Sequence, residues 1–100
     1  MNWFGAFALT CLVELPIVAA VAPRPLRRRA ALDSLAINLL THPLAWYVSV
    51  TDLLAWTPTE VLVAIVEAAA YALVTRMSWP RAMAAAVLAN GVTAAMSFLV

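Results

Sequence analysis

The sequence predicts an all-α fold: an integral membrane four-helix bundle, N-out and C-out, with short loops. Three observations predict it. Of the 100 residues, 66% are hydrophobic and 11% charged, against about 45–50% apolar and about 25% charged in a soluble domain. A chain this short buries only a modest share of its own surface, so the apolar excess calls for lipid or a very large partner. Second, the apolar residues fall into four runs separated by polar or proline-bearing breaks. Third, the six cations are all arginines, and they sit in only two of the three breaks. Length sets a ceiling of one domain, residues 1–100.

The runs define helices of approximately residues 3–22, 30–50, 59–75 and 80–100. The first is interrupted only by Glu14 and Pro16, and ends at Pro23 and Pro25 with their arginines. A polar-aromatic stretch from 51 to 58 separates the second from the third, and residues 76–81 connect the third to the fourth. At roughly 1.5 Å per residue each run spans about 25–30 Å, which matches a hydrocarbon core of about 30 Å. Strands are excluded, because four of them cannot close a barrel and open edges fail in lipid. No basic stretch precedes the first run, so it reads as a retained helix rather than a cleaved signal peptide.

Orientation follows from Arg24, Arg27, Arg28 and Arg29 in the first break and Arg76 and Arg81 in the third. Cytoplasmic loops carry such an excess. The second break and both termini then face outward, with Trp3, Trp46, Tyr47 and Trp56 as an outer aromatic belt and Trp79 at the inner interface. The expected location is the bacterial cytoplasmic (inner) membrane, multi-pass. Several polar residues read as helix starts. Thr57, Pro58 and Glu60 form a capping box for the third helix, with Thr57 at N-cap and Glu60 reaching back from N3. Ser78 caps the fourth helix. Asp33 belongs to the first turn of the second helix, four residues after Arg29. The lone Cys11 cannot form an intramolecular disulfide and reads as a small apolar residue.

The remaining polar groups form a layer. Counted from each helix's cytoplasmic end, Glu14, Asn38, His42, Glu67 and Asn90 lie between roughly 10 and 16 Å deep. Every helix contributes at least one. Ser34, Asn38 and His42 share a helix face, as do Glu60, Glu67 and Tyr71. Acids at mid-membrane are costly, so they should face one another or a cavity. Small residues allow close helix approach at Ala64, Ala68 and Ala72, at Ala82 and Ala86, and at Gly91 and Ala95. Pro16 and Pro43 release the carbonyls of Leu12 and Leu39 beside the layer. Two readings of the layer stay open. In one, both carboxyls are protonated and hydrogen-bond to Asn38, His42, Asn90 and Tyr71, fixing helix register. In the other, the carboxyls and His42 exchange protons or hold a cation. Glu14, His42 and Glu67 could also supply three zinc ligands, but no paired ligand motif accompanies them.

The segment Asn38-Leu39-Leu40-Thr41-His42-Pro43, with Glu14 before it and Glu67 and Asn90 after it, resembles a set of uncharacterised small bacterial inner-membrane proteins. That resemblance covers most of the chain and implies no known activity. Glu14 also matches in placement the helix-one glutamate of small multidrug resistance exporters. The glycine-rich packing and the third-helix aromatic site of that family have no counterpart here, so the likeness is architectural.

No nucleophile constellation or cofactor motif is present, so neither an enzyme nor a cofactor is expected. Arg27 to Arg29 read as a topology signal and a weak anionic-lipid contact, not as a nucleic-acid site. The expected partners are the lipid bilayer and either further protein subunits or copies of the same chain. Two functions follow: an accessory or assembly subunit of a larger membrane complex, or a small transporter coupled to protons or cations.

Overall fold

The computed structural model describes residues 2–97. It is all-helical, with four helices in an up-down bundle: α1 (Trp3–Val21), α2 (Arg27–Val50), α3 (Trp56–Leu73) and α4 (Trp79–Ser97), plus a 3-10 turn at Arg24–Leu26. The expected end of the fourth helix, 98–100, lies outside the described residues. The helices form a ring in which α1 packs on α2 and α4, and α3 packs on α4 and α2; α2 and α3 meet least. The bundle measures 39 × 21 × 20 Å.

Local chemistry sets most boundaries. The side chain of Asn2 accepts from the Gly5 amide at 2.7 Å and caps α1. Ala22 turns extended before Pro23, because proline disfavours helical backbone in the residue preceding it. At the end of α2, Asp52 takes a left-handed φ of 55°. The Asp52 and Leu53 amides then return to the Ser49 and Val48 carbonyls at 3.3 and 3.2 Å, the bond pattern of a Schellman ending. Arg76 is left-handed as well, and there the Met77 amide returns to the Tyr71 carbonyl at 3.1 Å.

Two expected helix starts are displaced. The third helix begins at Trp56 with Ala55 as its N-cap and no side-chain capping bond. Pro58 is therefore its third residue, a position where a missing N–H costs nothing because the first four amides have no helical partner. Thr57 is inside the first turn and Glu60 is the fifth residue, so the Thr57–Glu60 capping box does not form. The second helix begins at Arg27, which moves Asp33 out of the first turn into the second. Its pairing with Arg29 remains, at 3.5 Å. Ser78 stands immediately before α4, and its carbonyl accepts from the Ala82 amide at 2.9 Å.

The packing is inverted relative to a soluble domain. Buried positions include Glu14, Ser34, Asn38, Glu67 and Thr75, along with Val18, Tyr71 and the alanines 82, 85, 86 and 89 of α4. Large apolar side chains lie outside: Phe4 is 76% exposed and Leu12 75%. Ala68, Ala82 and Ala86 lie in helix contacts as their spacing predicts. Gly91 and Ala95 do not. Both are exposed, and a Cβ added to Gly91 would meet nothing within 4 Å.

By length and mean hydropathy, α1 is the one candidate membrane span among the described residues; its mean hydropathy is 2.1, and 11% of that window is buried. The other three helices, expected to span as well, do not reach that hydropathy. The reason lies in the residues named above. Asn38, His42 and Pro43 in α2, Glu60 and Glu67 in α3, and Pro80, Arg81 and Asn90 in α4 lower the average.

Candidate functional site

Beyond the level of the polar layer, Thr59 is the one buried residue among those described. Between residues 39 and 58 no position is buried, and none is buried beyond Ala89 in the described part of α4. Pro43 lies inside α2 where that helix leaves the packed region. A cavity of about 240 Å³ fills the space, lined by Glu14, Asn38, His42, Glu60, Glu67, Asn90 and Thr93, with Trp46, Ser49 and Trp56 among its other lining residues. It lies toward the end of the bundle that carries the α2–α3 loop. The opposite end, which carries the arginines, is packed.

Four of the five layer residues line this cavity and carry a buried atom without a well-formed hydrogen bond, although the Asn38 side chain approaches the Glu14 carboxyl and the Thr41 side chain that of Glu67. Glu14 Oε1, Asn38 Nδ2, His42 Nε2 and Glu67 Oε2 are all buried and unbonded. Leaving such groups dry costs about 1–3 kcal/mol each, more for charged ones, so the site has to be filled by water or by a ligand. The other carboxyl oxygens are held. Thr93 donates to Glu14 Oε2 at 3.1 Å. Asn90 Nδ2 donates to Glu67 Oε1 at 2.5 Å and to the Ala86 carbonyl at 2.8 Å. Each acid thus has one oxygen fixed by α4 and one turned to the cavity. The two acids are close enough to interact electrostatically.

The layer departs from expectation in three respects. Tyr71 does not bond to an acid; its hydroxyl donates to Ser34 Oγ at 3.0 Å. This fully buried pair lies one helical turn toward the arginine end from Glu67 and Asn38 and is not part of the cavity lining. His42 is held among rings instead, with centroids of Trp3, Phe7 and Trp46 at 5.3, 5.5 and 6.1 Å. Its imidazole lies close to the Trp3 backbone. Trp3 thus packs against a residue of the cavity wall. Glu60, assigned to a helix start by the sequence, lines the cavity. The zinc possibility is corrected: among the described residues no group of three His, Cys, Asp or Glu side chains is able to hold a metal ion.

The arginine end is tied by side chains that the sequence reading treated only as topology signals. Arg29 of α2 donates to the Val74 carbonyl after α3, and Arg81 of α4 donates to the Val21 carbonyl of α1, both at 2.7 Å. Each satisfies a carbonyl that a helix end leaves without a helical partner. Thr75 donates to Asp33 at 2.8 Å. Arg24, Arg27, Arg28 and Arg76 are exposed.

Known proteins offer no guide at this point. No protein-family model matches the chain, and no curated protein or solved structure matches it. The functional reading therefore rests on the cavity and on the surface around it.

Proposed function

We propose that the chain is a multi-pass integral protein of the bacterial inner membrane, with the cavity opening outward, and that it works as a small transporter coupled to protons or cations. The observation that carries this reading is the cavity ending on Glu14 and Glu67, each with one carboxyl oxygen committed to α4 and one free. A layer that served only to fix helix register would satisfy its buried atoms internally; this one leaves four open. The membrane part of the reading is supported by the inverted packing. Contiguous exposed apolar surface on this scale marks contact with lipid or partners, and the polar residues that lower the hydropathy of α2 and α3 are largely those turned inward. The arginines cluster at one end, as cytoplasmic loops do.

The deciding measurement is proton and cation flux in liposomes containing the purified chain. The expected result is flux in the wild type and its loss in Glu14→Gln and in Glu67→Gln, with helical content unchanged. Absence of flux together with a stoichiometric co-purifying complex would overturn the transporter reading in favour of an accessory or assembly subunit. One observation favours that second reading: Gly91 and Ala95 form a small-residue face on α4 that is exposed among the described residues, and such faces suit close helix approach by another subunit or another copy.

Topology has its own test. In a Cys11→Ala background, a cysteine replacing the exposed Ser49 is expected to react with an impermeant thiol reagent from outside the cell. Labelling only from the cytoplasm would invert the proposed orientation.

A further inference from the structure

The polar cavity has an apolar neighbour. A groove of about 170 Å³ runs between α2 and α3, and Thr41, Ala45 and Val63 line both spaces. The groove reaches the outer face of the bundle past Leu44, Leu62 and Val66, of which Val66 is 53% exposed. Its only polar side chains are those of Thr41 and Thr59, and the Thr59 hydroxyl is already bonded to the Ala55 carbonyl at 2.9 Å. A polar chamber with two acids thus shares a wall with an apolar channel to the exterior, at the seam where the helices meet least.

We infer that the site takes an amphiphilic primary amine, with its ammonium in the cavity and its alkyl chain in the α2–α3 groove. This rests on the reading of the cavity as a cation site. The hydrogen-bond inventory selects the head group. Glu14 Oε1 and Glu67 Oε2 accept no well-formed hydrogen bond; the Asn38 and Thr41 side chains approach the two carboxyls but leave each with acceptor capacity, since a carboxylate oxygen has two lone pairs. His42 Nε2 is unbonded as well and, in the neutral tautomer protonated at Nδ1, is a third acceptor. A primary ammonium carries three donors; a quaternary ammonium carries none and would leave all three acceptors unmet. Charge agrees, since the acids face the head group while the arginines lie at the far end. At about 30 Å³ per water, the cavity is larger than an ammonium alone. The head therefore arrives with waters, one of which serves the Asn38 amide. The groove supplies what the cavity lacks, an apolar path for a chain.

The test uses the full chain in nanodiscs, with intrinsic tryptophan fluorescence as readout because Trp46 and Trp56 line the cavity. Methylamine, butylamine, hexylamine, hexanol and tetramethylammonium are titrated, with empty nanodiscs subtracted. Affinity is expected to rise by roughly fourfold for each methylene buried in the groove. Hexanol and tetramethylammonium should bind at least tenfold more weakly than hexylamine and methylamine respectively. Val66→Phe, and independently Leu62→Phe, should abolish the chain-length dependence while keeping methylamine affinity; both sites are half exposed, so added bulk is tolerated by the fold. Glu67→Gln should weaken every amine. Equal affinity for methylamine and hexylamine would overturn the amphiphile inference and leave the cation site standing. Hexanol binding as tightly as hexylamine would also overturn it, making the groove a seat for a bilayer acyl chain. No response to any amine would overturn both the inference and the cation-site reading beneath it.

Discussion

Ala86→Phe is expected to destabilise the bundle by about 3 kcal/mol, toward the upper end of the usual cost of overpacking. Ala82, Ala85, Ala86 and Ala89 are all within 1% of complete burial, so α4 meets its neighbours through methyl groups. Helices that touch through side chains this small lie at the short end of the usual range of axis separation, about 8–10 Å. A benzyl group has no room at such a contact and must push α4 away from α1 or α3. The same substitution one residue on, Val87→Phe, falls at a position 61% exposed and should stay within about 0.5 kcal/mol of wild type. Denaturant titration of the helical signal in a mild detergent measures both. Equal stability of the two variants would show that the alanine face is not the packing seam.

Tyr71→Ala is expected to cost about 3–5 kcal/mol, as for other large aromatic truncations in a core, and Tyr71→Phe only about 1 kcal/mol, the worth of one hydrogen bond. Tyr71 is fully buried, bonded to Ser34, and lies between the cavity and the packed arginine end. Truncation to alanine removes the hydroxyl bonded to Ser34 as well as the ring's packing contacts. A cysteine replacing Ser34 should therefore become reactive to a small thiol reagent in the Tyr71→Ala background and stay protected when Tyr71 is present. Similar costs for Tyr71→Ala and Tyr71→Phe would mean that the hydroxyl, not the ring, holds this level together.

Much of this arrangement is legible in the chain, and the rest is hidden for identifiable reasons. Hydrophobic runs and proline breaks delimit four helices because solvent preference repeats along every turn. The layer of Glu14, Asn38, Glu67 and Asn90 is legible because acids and amides within apolar runs must turn inward. The capping box was a local pattern overridden by proline: Pro58 is as comfortable at the third helical position as at the first, and the helix takes the earlier start. Spacing alone could not reveal that Thr93 would meet Glu14, that Tyr71 would choose Ser34, or that Arg29 and Arg81 would close the ends of other helices. Those contacts depend on the rotation of one helix against another. The same holds for Gly91 and Ala95, whose spacing suits a helix contact but whose azimuth on α4 faces away from the bundle. Glu60 at the cavity was hidden by the capping assignment itself.

The two arginine bonds give the molecule unequal ends. At the arginine end, short connections join α1 to α2 and α3 to α4, while Arg29 and Arg81 tie α2 to the end of α3 and α4 to the end of α1. All four rods are fastened there. At the other end, among the described residues, the α2–α3 loop is the one connection, and the Trp3, Phe7 and His42 rings pack α1 against α2. The fastened end is thus a fulcrum and the helices are its arms. A tilt of about 10° about it carries the far tip of a helix roughly 27 Å long through about 5 Å. That sweep would narrow or widen the part of the cavity lined by Trp46 and Trp56 while the alanine seam near the fulcrum scarcely slides, so the bundle has the mechanics of a pair of tweezers.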